Sequence, residues 1–402
     1  MDKERPLSPS AAQFRAWLIA RRNQKMAQSP HAYVRGNTAK FYAWLDEIRT
    51  QIPKGPPIWI CGDCHMGNIG PIADAGGAVA LQIRDLDQSA ISNPAYDLIR
   101  LGLSLATAAR GSALPGVITA RILEALTTGY YHGLRVDDAV DTRQSAVIDN
   151  AVKNSLRRKW RDLAAERIGD TEPDIPRDET FLTLTPARQR AIETMIHTRR
   201  LRALVTVLGH RDPDASIRML DCAYWVKGCS SLGLARYAVL VGVGDANPKT
   251  GGLCLLDLKR AVASVAPAAK GAVMPASAGR RVVMGARTLS PLLGTRMTSA
   301  TLGSTSLFVR ELLPQDLKLD IVTLTETEAE EVAMMFARVV GQAHARQLTR
   351  AQARAWVATM KQARDTHVAA PSWLWTSVVH LMARHEAAYL EHCRRYALLP
   401  KT

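Results

Sequence analysis

Cys61-Gly62-Asp63-Cys64-His65-Met66-Gly67-Asn68 is the stretch on which the reading of this chain turns. Before it, Pro56-Pro57 leads into Ile58-Trp59-Ile60, whose apolar run predicts a short buried strand. After it, strands are expected over 69–73 and 78–84, joined at Gly76-Gly77. The loop between therefore carries a carboxylate, an imidazole and a carboxamide within six residues. The Asp63 carboxylate can accept a proton from a hydroxyl nucleophile or orient it. The Asn68 carboxamide oxygen can ligate Mg²⁺, which prefers hard oxygen donors. The next strand ends in Ile83-Arg84-Asp85-Leu86-Asp87, and Asp97 follows Asp85 by twelve residues, at a helix start in Asn93-Pro94-Ala95-Tyr96-Asp97-Leu98. A carboxylate ending a strand beside an Asp/Asn loop is the arrangement that holds Mg²⁺ on a nucleoside triphosphate. Single Asp and Asn residues are common in turns; the joint pattern is what argues for chemistry.

Working outward, Phe14, Trp17, Leu18 and Ile19 predict a helix over 9–26, and Phe41, Trp44, Leu45 and Ile48 another from Asn37. Helices are expected from Pro94 to about 110 and over 116–134, 142–165 and 186–208, with a polar, proline-containing loop at 166–186. A β-rich block begins near 221, with strands at 221–227, 234–242 and 253–259, a turn at 245–252 and a further strand from Ser306 to Leu312. The Ala-, Gly-, Pro- and Ser-rich segment 262–281 reads as a mobile loop. From 325 the chain reads as helical, including Glu326–Arg346 and a final helix ending near Arg395. The fold class is α+β.

The chain has 402 residues, 47% apolar and 22% charged, which excludes a disordered protein. No run of eighteen apolar residues is present, and the first ten residues, MDKERPLSPS, do not read as an apolar signal, so a cytoplasmic protein without a membrane partner is expected. Six cysteines in a chain of this length read as reduced thiols rather than a disulfide framework. Cys61-x-x-Cys64 has no second such pair, and His380, His385 and His392 lack metal-site spacing, so both groups read as structural. Neither a Walker-type phosphate loop, a dinucleotide fingerprint nor a nucleophile elbow is present. A formal charge of +15 calls for an anionic partner. Arg157-Arg158-Lys159 and Arg199-Arg200 read as solvated helix faces, which disfavours nucleic acid as that partner.

The run G-D-x-H-x-x-N, a strand ending in Asp, then N-P-x-x-D-L, resembles aminoglycoside and choline kinases of the protein-kinase-like superfamily. That resemblance implies Asp63 as catalytic base, His65 as a supporting loop residue, Asn68 and Asp85 as Mg²⁺ ligands, and Asp97 as a structural anchor. Asp87 is a candidate second ligand. A broader match takes in Lys25–Pro30, Val34-Arg35-Gly36, the Gly62–Asn68 loop, Asp85–Asp87, Gly228–Gly233, Lys259 and His344-Ala345-Arg346. It resembles a bacterial family catalogued as a domain of unknown function, DUF2252.

In a kinase the glycine loop and lysine strand come before the catalytic loop. Here the corresponding stretch, Lys227-Gly228-Cys229-Ser230-Ser231-Leu232-Gly233, comes after it, and Lys259 ends a later strand. The glycines and the hydroxyls of Ser230 and Ser231 can approach phosphates closely, and a lysine across the hairpin reaches them as a point charge. The order implies a circular permutation: a helical large lobe at 1–215, a β-rich nucleotide lobe at 216–318, and helices at 319–402 packing back on the large lobe. No acidic residue lies between Asp257 and Glu311, so the helix glutamate that orients a kinase lysine is missing. Asp257, on the same strand face, and Glu311 are the candidate partners; otherwise the lysine pairs only with nucleotide bound, or the protein is weak or inactive. From Leu258 to Arg310 eight Lys or Arg occur without an Asp or Glu, which fits a triphosphate, with Arg287 and Arg310 as contacts. The expected activity is ATP- and Mg²⁺-dependent phosphoryl transfer to a small-molecule or protein hydroxyl. AMP transfer to protein and non-catalytic nucleotide sensing are the alternatives.

Overall fold

The apolar spacing at the start of the chain becomes three helices, α1 (Ala11–Ala27), α2 (Pro30–Gly36) and α3 (Thr38–Glu47). The short α2 was not expected; it begins where Ser29 accepts a hydrogen bond from the Ala32 N–H at 3.1 Å and Pro30 supplies the first turn. This computed structural model describes residues 11–111, 114, 116–134, scattered positions within 149–163, 174–208, 211–229, 231–245, 252–316, 325–362 and 372–396. Most of the expected helix at 142–165, most of the turn at 245–252 and Ser230 lie outside the described residues.

Two small antiparallel pairs carry the candidate loop. β1 (Ile58–Ile60) pairs with β4 (Ala90–Ser92), and β2 (Ile69–Ala73) with β3 (Val79–Ile83) in register from Ile69↔Ile83 to Ala73↔Val79. Behind them run α4 (Ala95–Gly111) and α5 (Val117–Leu134). Helix α5 lies tightly against the later α10 (Glu326–Ala345). A Cβ on Gly129 would run into the Met334 carbonyl, and one on Gly133 into that of Arg338. Only glycine permits this approach, and it brings Tyr130 to His344.

The second half is a six-stranded antiparallel sheet of order β5-β6-β7-β8-β10-β9. Its strands are β5 (Phe181–Leu182), β6 (Ile217–Trp225), β7 (Arg236–Val243), β8 (Leu253–Arg260), β9 (Met297–Leu302) and β10 (Thr305–Leu312). Edge strands β5 and β9 were not expected: the first has two residues, and the second, Met-Thr-Ser-Ala-Thr-Leu, is too polar to stand out. The single helix expected at 186–208 is two, α6 (Pro186–Ile196) and α7 (Arg199–Val205), and α6 is capped by Thr185. The loop expected to 281 gives way at Ser277, which caps α8 (Ala278–Leu289); α9 (Pro291–Thr295) follows. Helices α11 (Arg350–Gln362) and α12 (Ser372–Tyr396) complete the chain.

The largest core, including Phe41, Ile60, Leu101, Leu126, Phe336 and Trp356, fills the space among α3–α5, β1–β3 and α10–α12. A second core, with Ile192, Leu201, Val239, Leu256 and Val309, lies between one face of the large sheet and α6 and α7. No helix among the described residues is long and apolar enough to cross a membrane.

His385 on α12 sits among Trp44 and Tyr33, with Nδ1 bonded to the Leu381 carbonyl at 2.8 Å. Burial, helped by Arg100 and Lys40, pushes its pKa down to about 3. An unfolded histidine titrates near about 6.5, so below that pH the unfolded chain binds the extra proton. The stability is therefore complete above that value and is lost as pH falls toward the folded one. Between about pH 7.5 and about pH 5, urea denaturation should show a loss of up to about 2 kcal/mol that His385→Phe does not share. An equal loss in the variant contradicts this.

Candidate functional site

The site is built from the Cys61–Gly62 turn outward. Gly62 has φ +75°, and a Cβ there would run into the Gln88 carbonyl, so the turn requires glycine. The backbone N–H groups of Cys61 and Gly62 donate to the two oxygens of Asp97, at 2.7 and 2.9 Å. Asp97 is wholly buried in the first turn of α4. It is held from behind by a chain of polar groups. Trp356 Nε1–H donates to Tyr130 Oη at 3.1 Å, Tyr130 Oη lies 2.9 Å from His344 Nδ1, and His344 Nε2 lies 3.3 Å from Asp97. Because the Asp97 carboxylate only accepts, the facing His344 Nε2 carries the proton, and Nδ1 of the neutral ring accepts from the tyrosine hydroxyl. Burial raises the Tyr130 pKa, which keeps that hydroxyl a donor. Cys61, Cys64 and Asp97 offer ligand atoms within 4.8 Å of one another, but both Asp97 oxygens already serve the turn.

Asp63, at the tip of this loop, accepts from Arg100 Nε at 2.9 Å through one oxygen. Its second oxygen takes no hydrogen bond among the described residues. Arg100, wholly buried, stands one helical turn after Asp97, and its other arm donates to the Val34 carbonyl at 2.9 Å. Asn68 Nδ2 donates to the Asp63 backbone carbonyl at 2.9 Å, which leaves the carboxamide oxygen for another partner. His65 is buried, and its backbone N–H and carbonyl tie Asp63 and Asn68 into the turn at 2.9 and 2.8 Å.

Lys259 meets neither of its expected partners. Its Nζ lies 3.0 Å from Asp85 and 2.8 Å from Asp87. Asp257 is on the expected face but is already held, by Arg236 at 2.7 and 2.5 Å and by Arg310, its register partner on β10, at 3.0 Å. Glu311 is one residue beyond Arg310 and so faces the other side of the sheet, where Arg211 meets it at 2.8 Å. Helix α8, which has no glutamate, contributes Arg281 instead, donating to the carbonyls of Asp87, Ser89 and Val262. Burial alone would lower the Lys259 pKa, but Asp85 and Asp87 outweigh it and raise it. Burial would raise Asp85, yet Lys259 and Arg310 hold it below the usual carboxylate range. Asp87 is raised, by burial and by the charge of Asp85.

These groups line one cavity of about 480 Å³. Asp63, His65, Asn68, Asp85, Asp87, Lys259, Gly228, Ser231 and Arg310 all face it. Gly228 and Gly233 have φ of +112° and +100°. Gly233 is not part of the lining, and Arg287 is exposed on α8 away from it. Of the two arginines expected from the 258–310 charge count, Arg310 lines the cavity, whereas helix periodicity turns Arg287 outward. Sequence reasoning missed Lys25, Arg35, Arg84, Lys227 and Arg236, which also line the cavity. Burial and the nearby Arg310 bring the Arg84 pKa down to about 10.

The fold and site define an α+β protein with a polar, cation-rich cavity beside the buried Cys61–Asn68 loop. The chain belongs to the DUF2252 family, described as an uncharacterized protein conserved in bacteria, which matches residues 16–395. No curated protein and no solved structure matches the chain.

Asp97→Asn would set an amide N–H against one of the two backbone donors. Its expected cost is about 2–4 kcal/mol of unfolding free energy in urea. A change within about 0.5 kcal/mol contradicts the anchoring role.

Proposed function

We propose that the protein is an ATP- and Mg²⁺-dependent phosphotransferase of circularly permuted, protein-kinase-like architecture, acting on a hydroxyl acceptor. One observation carries this reading: the cavity draws Asp63, Asn68, Asp85 and Asp87 together with Lys259, which is 174 positions from Asp85 in the chain. The donor set suits the metal. Asn68 has a carboxamide oxygen to offer, and Asp85 and Asp87 converge on a single ammonium, so two carboxylates and an amide oxygen give hard donors only. Asn68, Asp85 and Asp87 would hold the ion, which would supply charge neutralisation for the triphosphate.

Lys259 and the positive-φ turn at Gly228 hold the triphosphate, the first as a point charge and the second through backbone N–H groups. Asp63, fixed by Arg100 through one oxygen, offers the other to the acceptor hydroxyl. The hydroxyl oxygen bonds to the γ-phosphorus as its proton passes to Asp63. The bond from that phosphorus to the β–γ bridging oxygen breaks, and its electron pair leaves with ADP. Catalysis comes mainly from alignment and charge neutralisation.

Mg·ATP is expected to raise the melting temperature of the wild type but not of Asp85→Ala; an equal rise in the variant contradicts the metal assignment. Slow ATP hydrolysis, with water standing in for the acceptor, should yield ADP and fall at least about a hundredfold in Asp63→Asn. Release of AMP and pyrophosphate would point instead to nucleotidyl transfer, and binding without turnover to a nucleotide sensor.

A further inference from the structure

The wall of the cavity formed by α1 and α2 has no role in holding nucleotide in the reading above. It contributes Lys25, Gln28, His31 and Arg35. Lys25 Nζ donates to the Gly228 carbonyl at 3.3 Å. The Arg35 guanidinium lies beside the catalytic loop, 3.6 Å from where a Cβ on Gly67 would sit. The two cations thus stand between the glycine turn and the loop that carries Asp63 and Asn68.

Three other cations of the cavity have carboxylates. Lys259 has Asp85 and Asp87, while Arg236 and Arg310 share Asp257. Lys25 and Arg35 have none: among the described residues the Arg35 side chain makes no hydrogen bond or ion pair, and the Lys25 ammonium meets only a backbone carbonyl. They are also within electrostatic reach of each other, and Arg35 of Arg84. Two like charges side by side at a cavity wall repel, and the pair costs stability unless an anion sits between them. Seven Lys or Arg of the lining face three Asp, and Asp257 behind Arg236 and Arg310 makes four, an excess of three positive charges. A magnesium–triphosphate complex supplies about two negative charges, so a second anion is called for.

We propose that the acceptor is an alcohol bearing an oxyanion, a phosphate monoester or a carboxylate, and that Lys25 and Arg35 bind that oxyanion so that the hydroxyl reaches Asp63. This rests on the phosphotransferase reading. Guanidinium is suited to the task, since its planar fork matches phosphate and carboxylate alike.

The test is calorimetric, with the full chain saturated by Mg·AMP-PNP and titrated with inorganic phosphate, then with acetate. Phosphate or acetate should bind beside the nucleotide; whichever binds tighter identifies the oxyanion. Arg35→Gln and Lys25→Gln should each weaken that binding at least about tenfold, more than they weaken Mg·AMP-PNP, and Arg35→Lys should restore part of it. The proposal is overturned if neither anion binds the loaded protein, if nucleotide displaces it, or if both Gln variants bind it as the wild type does. If Mg·AMP-PNP itself fails to bind, the phosphotransferase reading falls and the acceptor assignment with it. The same titration of nucleotide-free protein then shows separately whether Arg35 holds an anion.

Discussion

A lysine clasped by two aspartates joins the halves of this protein. Lys259 comes from the large sheet, Asp85 and Asp87 from the end of the small hairpin, and the three meet at 3.0 and 2.8 Å at the edge of a cavity. Charges in such a place are tolerated only when each finds an opposite charge or a hydrogen bond. The neighbours follow that rule. Asp257 neutralises Arg236 and Arg310, Arg310 also donates to the Arg84 carbonyl at 3.1 Å, and Arg281 ties down the backbone beyond Asp87. The position of the sheet relative to the hairpin is thus set by charge pairing as much as by apolar contact.

The other side of the cavity is fixed by a different device. Asp97 converts a chain of buried polar groups on α5, α10 and α11 into the shape of the Cys61–Gly62 turn. The glycine contacts between α5 and α10 are what let Tyr130 reach His344. Asp63 is then oriented by Arg100, one turn along the same helix as Asp97, so a single helix sets both the turn and the carboxylate. Function, on the reading proposed above, depends on two preorganised walls that meet across a polar gap.

Much of this was legible in the sequence because it is local. The strand–loop–strand period placed Asp63, Asn68 and Asp85 near one another, and alternation along β8 put Asp257 and Lys259 on one face. What was not legible is long-range. Nothing near Lys259 in sequence announces Asp85 or Asp87 as its partners. Arg35 and Lys25 sit in helices whose pattern looks like any solvated face, and α2 is too short to declare itself. Arg100 did leave a signal: an arginine inside Leu98-Ile99-Arg100-Leu101, with apolar residues on every side, implies a buried partner. Glu311 was a candidate because it sits on the next strand; the pleat that aims Arg310 at Asp257 turns Glu311 away.

The most direct test of the central claim is a crystal structure with Mg·AMP-PNP. The account predicts a metal ion about 2.1 Å from oxygens of Asn68 and Asp85, with Lys259 within hydrogen-bonding distance of a phosphate oxygen. Phosphates bound outside this cavity, or a metal that touches neither Asn68 nor Asp85, would contradict it.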